Sequence, residues 1–125
     1  MMHPELTHLT QIDELERLLA ESATHPLVLF KHSYSCGTSA EALDELLSHL
    51  DDHDGWARFA MVTVQTDRAV SNAISARLGV RHETPQVLLV HGGRVVWSAS
   101  HFRVTADEIG RAIARAATQA DDQAH

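Results

Sequence analysis

Apolar residues along the chain follow two spacings, and each spacing predicts a different kind of element. In four segments they recur every three or four residues, as on the buried face of a helix. These segments predict helices that begin near Thr10, Thr38, Asp67 and Thr105. Short continuous apolar runs predict buried strands at 27–31, 58–64, 86–90 and 94–100. Residues 1–9 show neither spacing and are expected to be a loose lead-in.

The predicted elements follow the order α-β-α-β-α-β-β-α, which indicates an α/β fold. The last two strands flank "HGGR", and two glycines between apolar runs are typical of a β-hairpin. This order matches the core of the thioredoxin-like fold, preceded by one helix. We therefore expect a mixed central sheet of about four strands flanked by helices. Residues 1–118 are expected to form a single domain and residues 119–125 a disordered tail.

Composition narrows the possible partners. The chain has 125 residues and a net charge of −7 with its histidines neutral, which argues against nucleic acid and anionic membrane surfaces as partners. No signal peptide is recognisable, and no apolar stretch approaches the roughly 20 residues that span a bilayer. We therefore expect a cytoplasmic protein. The ten histidines lack the spacing of metal ligands, so no metal site is expected.

The single cysteine, Cys36, lies in "LFKHSYSCGTSAEAL", between a predicted strand and a predicted helix. A helix N-terminus presents unpaired N–H groups and partial positive charge, and both favour a thiolate. Gly37 leaves room for another molecule to approach the sulfur. The remaining residues expected to support the thiolate are Lys31, His32, Ser33, Thr38 and Ser39. For Cys36 the alternative is that it is a small buried residue that behaves as an apolar side chain. For Lys31 the alternative is that its side chain points into solvent.

A second stretch, "GVRHETPQVLLV", places Pro85 directly before a predicted strand. Thioredoxin-like folds carry a cis-proline at this place, facing the active cysteine. The backbone of Thr84 would then be turned towards the thiol, where it can pair with an incoming peptide. The alternative is an ordinary trans-proline at the start of a strand.

Four motifs in the chain resemble those of the bacillithiol-system monothiol proteins, the YtxJ-like family of bacilliredoxins. They are "FKHS", "SNAI", "GVRHETPQ" and "WSASH", and the similarity runs from about residue 27 to about residue 113. The resemblance implies a thioredoxin-like fold in which Cys36 is the active cysteine and Pro85 the cis-proline. One position departs from the family, which usually has proline where this chain has Gly37.

The resemblance also implies an activity, a monothiol thiol–disulfide oxidoreductase that removes bacillithiol from mixed disulfides on proteins. Bacillithiolated proteins and bacillithiol itself would be the partners, with no tightly bound cofactor. Arg81 and His82 precede Thr84 and are expected to bind the carboxylates of bacillithiol, unless they belong to a solvated loop. With no second cysteine in the chain, another thiol would have to release bacillithiol from Cys36.

Three alternatives remain open from the sequence. "CGTS" is similar to the "CGFS" of monothiol glutaredoxins, many of which carry an iron–sulfur cluster with glutathione. The chain lacks the glycine-rich carboxylate site that those proteins usually have after the hairpin. "SYSC" is similar to the cysteine motif of peroxiredoxins, although the proline upstream of that motif is missing. The third alternative is a non-catalytic binding module with a thioredoxin fold.

Overall fold

The computed structural model describes residues 3–52 and 55–123 and contains nine regular elements in this part of the chain. The strands are β1 (Leu6–His8), β2 (Leu27–His32), β3 (Arg58–Thr63), β4 (Gln86–His91) and β5 (Arg94–Ser100). The helices are α1 (Ile12–Ala20), α2 (Gly37–Asp52), α3 (Arg68–Leu78) and α4 (Ala106–Gln123). Short 3-10 turns follow α1 and β5, at Glu21–Ala23 and His101–Arg103.

The strands form one mixed sheet in the order β1-β3-β2-β4-β5. β3 pairs in parallel with both β1 and β2, whereas β4 pairs antiparallel with β2 and β5. The predicted α/β class with a mixed sheet is confirmed, but the sheet has five strands rather than about four. The additional strand, β1, falls in the segment expected to be a loose lead-in. It has only three residues, too few to show a periodic pattern in the sequence.

The sheet separates two apolar clusters because successive side chains of a strand point to opposite faces. On β2, Val28 and Phe30 belong to the cluster shared with α2 and α4. Leu27 and Leu29 belong to the cluster shared with α1 and α3. All four are at most 1% exposed. β2 is therefore the central strand, and the direction of each residue near its end follows from this alternation.

The predicted hairpin between β4 and β5 is confirmed, and its turn consists of two glycines. Gly92 and Gly93 have φ angles of 65° and 76°, and β4 and β5 pair directly on either side of them. A two-residue turn with positive φ at both positions matches the twist of the strands, and glycine adopts it without a steric penalty.

The last helix is longer than the sequence indicates. α4 continues to Gln123, so most of the tail predicted at 119–125 is helical, and residues 124–125 lie outside the described part of the chain. Alanine-rich sequence has high helix propensity and extends a helix past the last core contact. The assignment of residues 1–118 to a single domain stays a prediction. Among the described helices, none has the length and apolar character to cross a membrane.

Candidate functional site

Cys36 occupies the N-cap of α2. Its carbonyl oxygen accepts a hydrogen bond from the N–H of Ala40 at 3.1 Å, and its own N–H donates to the carbonyl of Ser33 at 3.4 Å. The residue is partly exposed. The first N–H groups of a helix have no acceptor one turn earlier, and the dipole adds positive charge there. The cysteine therefore lies where the sequence predicts it, between β2 and the first turn of α2.

Ser39 holds the segment before Cys36 in place from within the first turn of α2. Its side chain is fully buried. The hydroxyl oxygen accepts the N–H of Ser33 at 2.9 Å and lies 2.9 Å from Nδ1 of His32. No hydrogen bond joins Ser39 to the sulfur among the described residues. Ser39 therefore fixes the backbone that leads to the thiol.

Gln65 gives the same segment a second support, which the sequence did not predict. It follows β3, and its amide nitrogen donates to the hydroxyls of Ser33 at 2.7 Å and Ser35 at 3.1 Å. Its amide oxygen accepts the N–H of Tyr34 at 3.4 Å. A lone glutamine in a loop has no spacing that distinguishes it, so only the proximity of β2 and β3 reveals this role.

Lys31 lies away from the position expected for thiolate support. As an odd-numbered residue of β2 it points to the same face as Leu29, towards α3, and it is fully buried. Its ammonium group donates to the hydroxyl of Ser75 at 2.8 Å and to Nδ1 of His82 at 3.1 Å. The alternative that Lys31 points into solvent is wrong. Burial lowers the pKa of this ammonium group.

His32 points to the opposite face, towards α2, where it contacts Ser39 and packs 5.9 Å from the ring of Phe30 between ring centroids. Burial lowers the pKa of His32, and the charge of His8 lowers it further. A neutral imidazole at neutral pH can take part in hydrogen bonding but does not supply positive charge to a thiolate. Any support that His32 gives is therefore through its hydrogen bond and not through its charge.

The two remaining helix residues of the predicted set lie beside Cys36. Gly37 is the first residue of α2, and a Cβ added there would meet no atom within 4 Å. Thr38 lines a groove between α2 and the turn at 101–103. The same groove includes Phe102, whose side chain is 78% exposed. The surface next to the thiol is thus open, with an apolar side chain at its border.

The loop before β4 lies at the same edge of the sheet as Cys36. Lys31 pairs with Gln86 in the antiparallel ladder of β2 and β4, so the end of β2 and the start of β4 are neighbours. The Thr84–Pro85 peptide bond is cis. The carbonyl of Pro85 accepts the N–H of His101 at 3.0 Å. The backbone of Thr84 makes no hydrogen bond with the described residues.

Two side-chain contacts fix the loop upstream of Thr84. The buried amide nitrogen of Gln86 donates to the carbonyl of Arg81 at 3.0 Å. Nδ1 of His82 accepts from Lys31. Arg81 and His82 are both exposed, as the alternative of a solvated loop requires. The loop is nevertheless connected to the sheet by the two hydrogen bonds just described. The loop also reaches the turn after β5, because a carboxylate oxygen of Glu83 lies 3.8 Å from Nε2 of His101.

No group of three or more histidine, cysteine, aspartate or glutamate side chains is arranged to hold a metal ion in residues 3–52 and 55–123. The structure brings two of the predicted features, Cys36 and Thr84–Pro85, to one edge of the sheet. It separates Lys31 from the thiol and connects it to His82 instead.

Comparison with known proteins agrees with this arrangement. Residues 7–109 match the model of a family described as monothiol bacilliredoxin BrxC. A solved protein with a thioredoxin fold is 28% identical, with a TM-score of 0.77 over 86% of this chain and 93% of that one. Thioredoxin from Fasciola hepatica is 18% identical, with a TM-score of 0.70 over 87% of this chain and 97% of its own.

Thioredoxin from Trypanosoma brucei brucei is 9% identical, with a TM-score of 0.73 over 94% of this chain and 95% of its own. At this identity the likeness shows the fold alone, whereas the family match covers most of the chain and carries the activity. The chain belongs to the monothiol bacilliredoxin BrxC family and is a thiol–disulfide oxidoreductase with a thioredoxin fold.

Proposed function

We propose that the protein removes bacillithiol from mixed disulfides on other proteins, with Cys36 as the nucleophile. The observation that supports this most directly is the position of the single cysteine at the N-cap of α2, partly exposed. Thiol–disulfide exchange requires a sulfur that a disulfide can reach, and helix N-termini are places where proteins commonly stabilise thiolates.

The reaction is a direct exchange of sulfur partners. The thiolate of Cys36 attacks the bacillithiol sulfur, the S–S bond of the mixed disulfide breaks, and the substrate protein leaves as a thiolate that takes a proton from water. A new disulfide then joins Cys36 to bacillithiol. Since the chain has one cysteine, a second bacillithiol completes the cycle by attacking this disulfide, which frees Cys36 and forms oxidised bacillithiol. Exchange that leaves protein thiols free suits the reducing cytoplasm.

The loop before β4 provides the contacts for the substrate. The N–H and C=O of Thr84, which have no hydrogen-bond partner among the described residues, pair with the backbone of the substrate protein next to its modified cysteine, as in other cases of strand addition. Pro85 fixes the end of this segment. The guanidinium group of Arg81, an exposed residue three positions before Thr84, binds a carboxylate of bacillithiol. No tightly bound cofactor takes part.

The proposal is tested by transfer from a model protein with one bacillithiolated cysteine. Intact-mass spectrometry should show the bacillithiol mass leave the model protein and appear on this chain. Cys36→Ser should abolish the transfer, while Ser35→Ala, a matched change one residue away, should retain it. Release by Cys36→Ser would refute the assignment of the nucleophile.

The identity of the small thiol is tested separately. The purified protein is exposed to oxidised bacillithiol and to oxidised glutathione at equal concentration, and the adduct on Cys36 is quantified for each. We expect a strong preference for bacillithiol, which Arg81→Gln should reduce. Equal labelling by both disulfides would contradict bacillithiol as the partner and leave only a reactive thiol.

A further inference from the structure

The most unusual charged group in the described part of the chain is the ammonium of Lys31. It is fully buried, yet its two hydrogen-bond partners, Ser75 and His82, are both uncharged when His82 is neutral. No carboxylate of the described residues forms an ion pair with it. A buried ammonium without a counter-ion is less favourable than an apolar side chain of similar size. We therefore look for the role of Lys31 in the groups that its hydrogen bonds hold in place.

These hydrogen bonds connect the central strand to the loop that carries Thr84. α3 ends at Leu78 and is followed by Gly79, which has a left-handed backbone conformation. Residues 80–85 then run without regular structure to β4. A loop of this kind is held only by individual contacts. Within it, Lys31 is the attachment of the His82 side chain, and Gln86 is the attachment of the Arg81 backbone.

The contact between Lys31 and His82 depends on the protonation of the imidazole. An ammonium group has only donors, so Nδ1 of His82 must offer its lone pair, and the ring proton then resides on Nε2. In the imidazolium form both nitrogens carry protons. Nδ1–H would then face the ammonium group, and the hydrogen bond would be replaced by repulsion between two cations.

The charges around His82 come from three directions. Burial lowers its pKa most, and Lys31 from β2 and Arg68 from the start of α3 lower it further. Glu83 in the same loop raises it, and Glu83 is itself close to His101 of the turn after β5. The ring is therefore neutral at neutral pH and accepts a proton at a lower pH than a free imidazole does.

We infer that Lys31 is a positioning residue for exchange, which holds the substrate-binding loop 81–85 through the neutral ring of His82 and releases it when acid protonates Nδ1. The inference rests on the proposed role of this loop in binding substrate. It gives the reaction a dependence on pH that is separate from the ionisation of the Cys36 thiol.

The two dependences are separated by measuring two rates on each sample between pH 5 and 8. The first is the rate of bacillithiol transfer from a modified protein, which needs the loop. The second is the alkylation of Cys36 by iodoacetamide, a small reagent that reports the thiolate fraction and needs no docking. The ratio of the two rates should fall by roughly tenfold in acid for the natural protein, the size expected from losing a hydrogen bond to a charged group.

Variants of His82 provide a matched pair. In His82→Asn the amide oxygen takes the place of Nδ1 and accepts from Lys31 but does not titrate, so the ratio should no longer depend on pH. In His82→Gln the amide lies one bond further out, so the ratio should be low at every pH. Lys31→Met should behave like His82→Gln. Ser75→Ala removes the other partner of Lys31 and should keep the acid step.

Nuclear magnetic resonance of the histidine rings gives a readout that does not depend on activity. We expect the proton of His82 on Nε2 at neutral pH, and a higher pKa of His82 in Lys31→Met. An acid step that persists in His82→Asn, or transfer by folded Lys31→Met at the natural rate, would overturn the inference. Transfer by Cys36→Ser would instead refute the proposed function and leave the ring measurement valid.

Discussion

Replacement of Ser39 by alanine should destabilise the protein, and the structure supplies a matched control at Ser71. Both serines are buried within helices, Ser39 fully and Ser71 with 2% exposed. The hydroxyl of Ser39 bonds to His32 and to the buried N–H of Ser33, whereas the hydroxyl of Ser71 has no partner among the described residues. The two substitutions remove the same atom, which is a hydrogen-bonded hydroxyl oxygen in Ser39 and a hydroxyl oxygen without a described partner in Ser71.

The magnitude follows from what each substitution leaves behind. Ser39→Ala leaves the buried N–H of Ser33 without an acceptor, which costs about 1–3 kcal/mol, and removes a hydrogen bond to His32 that contributes about 1 kcal/mol. With the middle of the first range, a loss of about 2.5 kcal/mol remains after the roughly 0.5 kcal/mol gained in helix propensity. Ser71→Ala makes the same propensity gain and removes an unsatisfied group, so it should be neutral or stabilising.

Thermal unfolding followed by circular dichroism measures both variants. We expect a Tm about 6–10 °C lower for Ser39→Ala and an unchanged or higher Tm for Ser71→Ala. Since both variants gain the same helix propensity, their difference isolates the hydrogen bonds. Equal Tm values, or a higher Tm for Ser39→Ala, would show that Ser39 does not hold the segment before the thiol.

Three further outcomes are expected. Gly37→Pro should raise the free energy of unfolding by about 0.4–1 kcal/mol in urea titrations. Proline is favoured at the first helical position, and an N-cap residue such as Cys36 ordinarily has the extended backbone that is required before a proline. A loss of stability would contradict this geometry. Gln65→Ala should slow bacillithiol transfer several-fold with little change in Tm, since it frees the segment before the thiol, and an unchanged transfer rate would count against that support. The free energy of unfolding should fall as the pH is lowered from 7 to 5.5. The pKa values of His32 and His82 in the folded protein lie below the usual 6.5, so the unfolded chain binds more protons in this range. Constant stability across this range would contradict the lowered pKa values.

Local spacing predicted most of the fold because each long element carries a clear period. The helices, the central strands and the glycine hairpin all follow from patterns of four or more residues. β1 was missed because a strand of three residues carries no such pattern. The length of α4 was underestimated because helix propensity continues where the apolar contacts stop.

The sequence predicts those parts of the site that follow from a residue's position along the chain. It does not predict those that follow from which elements pack together. The thiol at the start of α2 follows directly from a cysteine between a strand and a helix. The role of Gln65 requires knowing that β3 lies beside β2. Lys31 was expected near the thiol or in solvent because lysine is rarely buried, and only the alternation of β2 shows that it faces α3.

The edges of the sheet bear on how the protein meets other chains. β1 is three residues long, and the pairing of β4 with β5 contains a bulge near Val90 that leaves Val96 half-exposed. Very short edge strands and bulges are poor templates for an extended chain, and they protect natural sheets from aggregation. An extended segment of another protein is therefore not expected to pair with either edge strand. Thr84 precedes β4, which is an inner strand of the sheet, so the backbone pairing proposed for Thr84 would not use either edge strand.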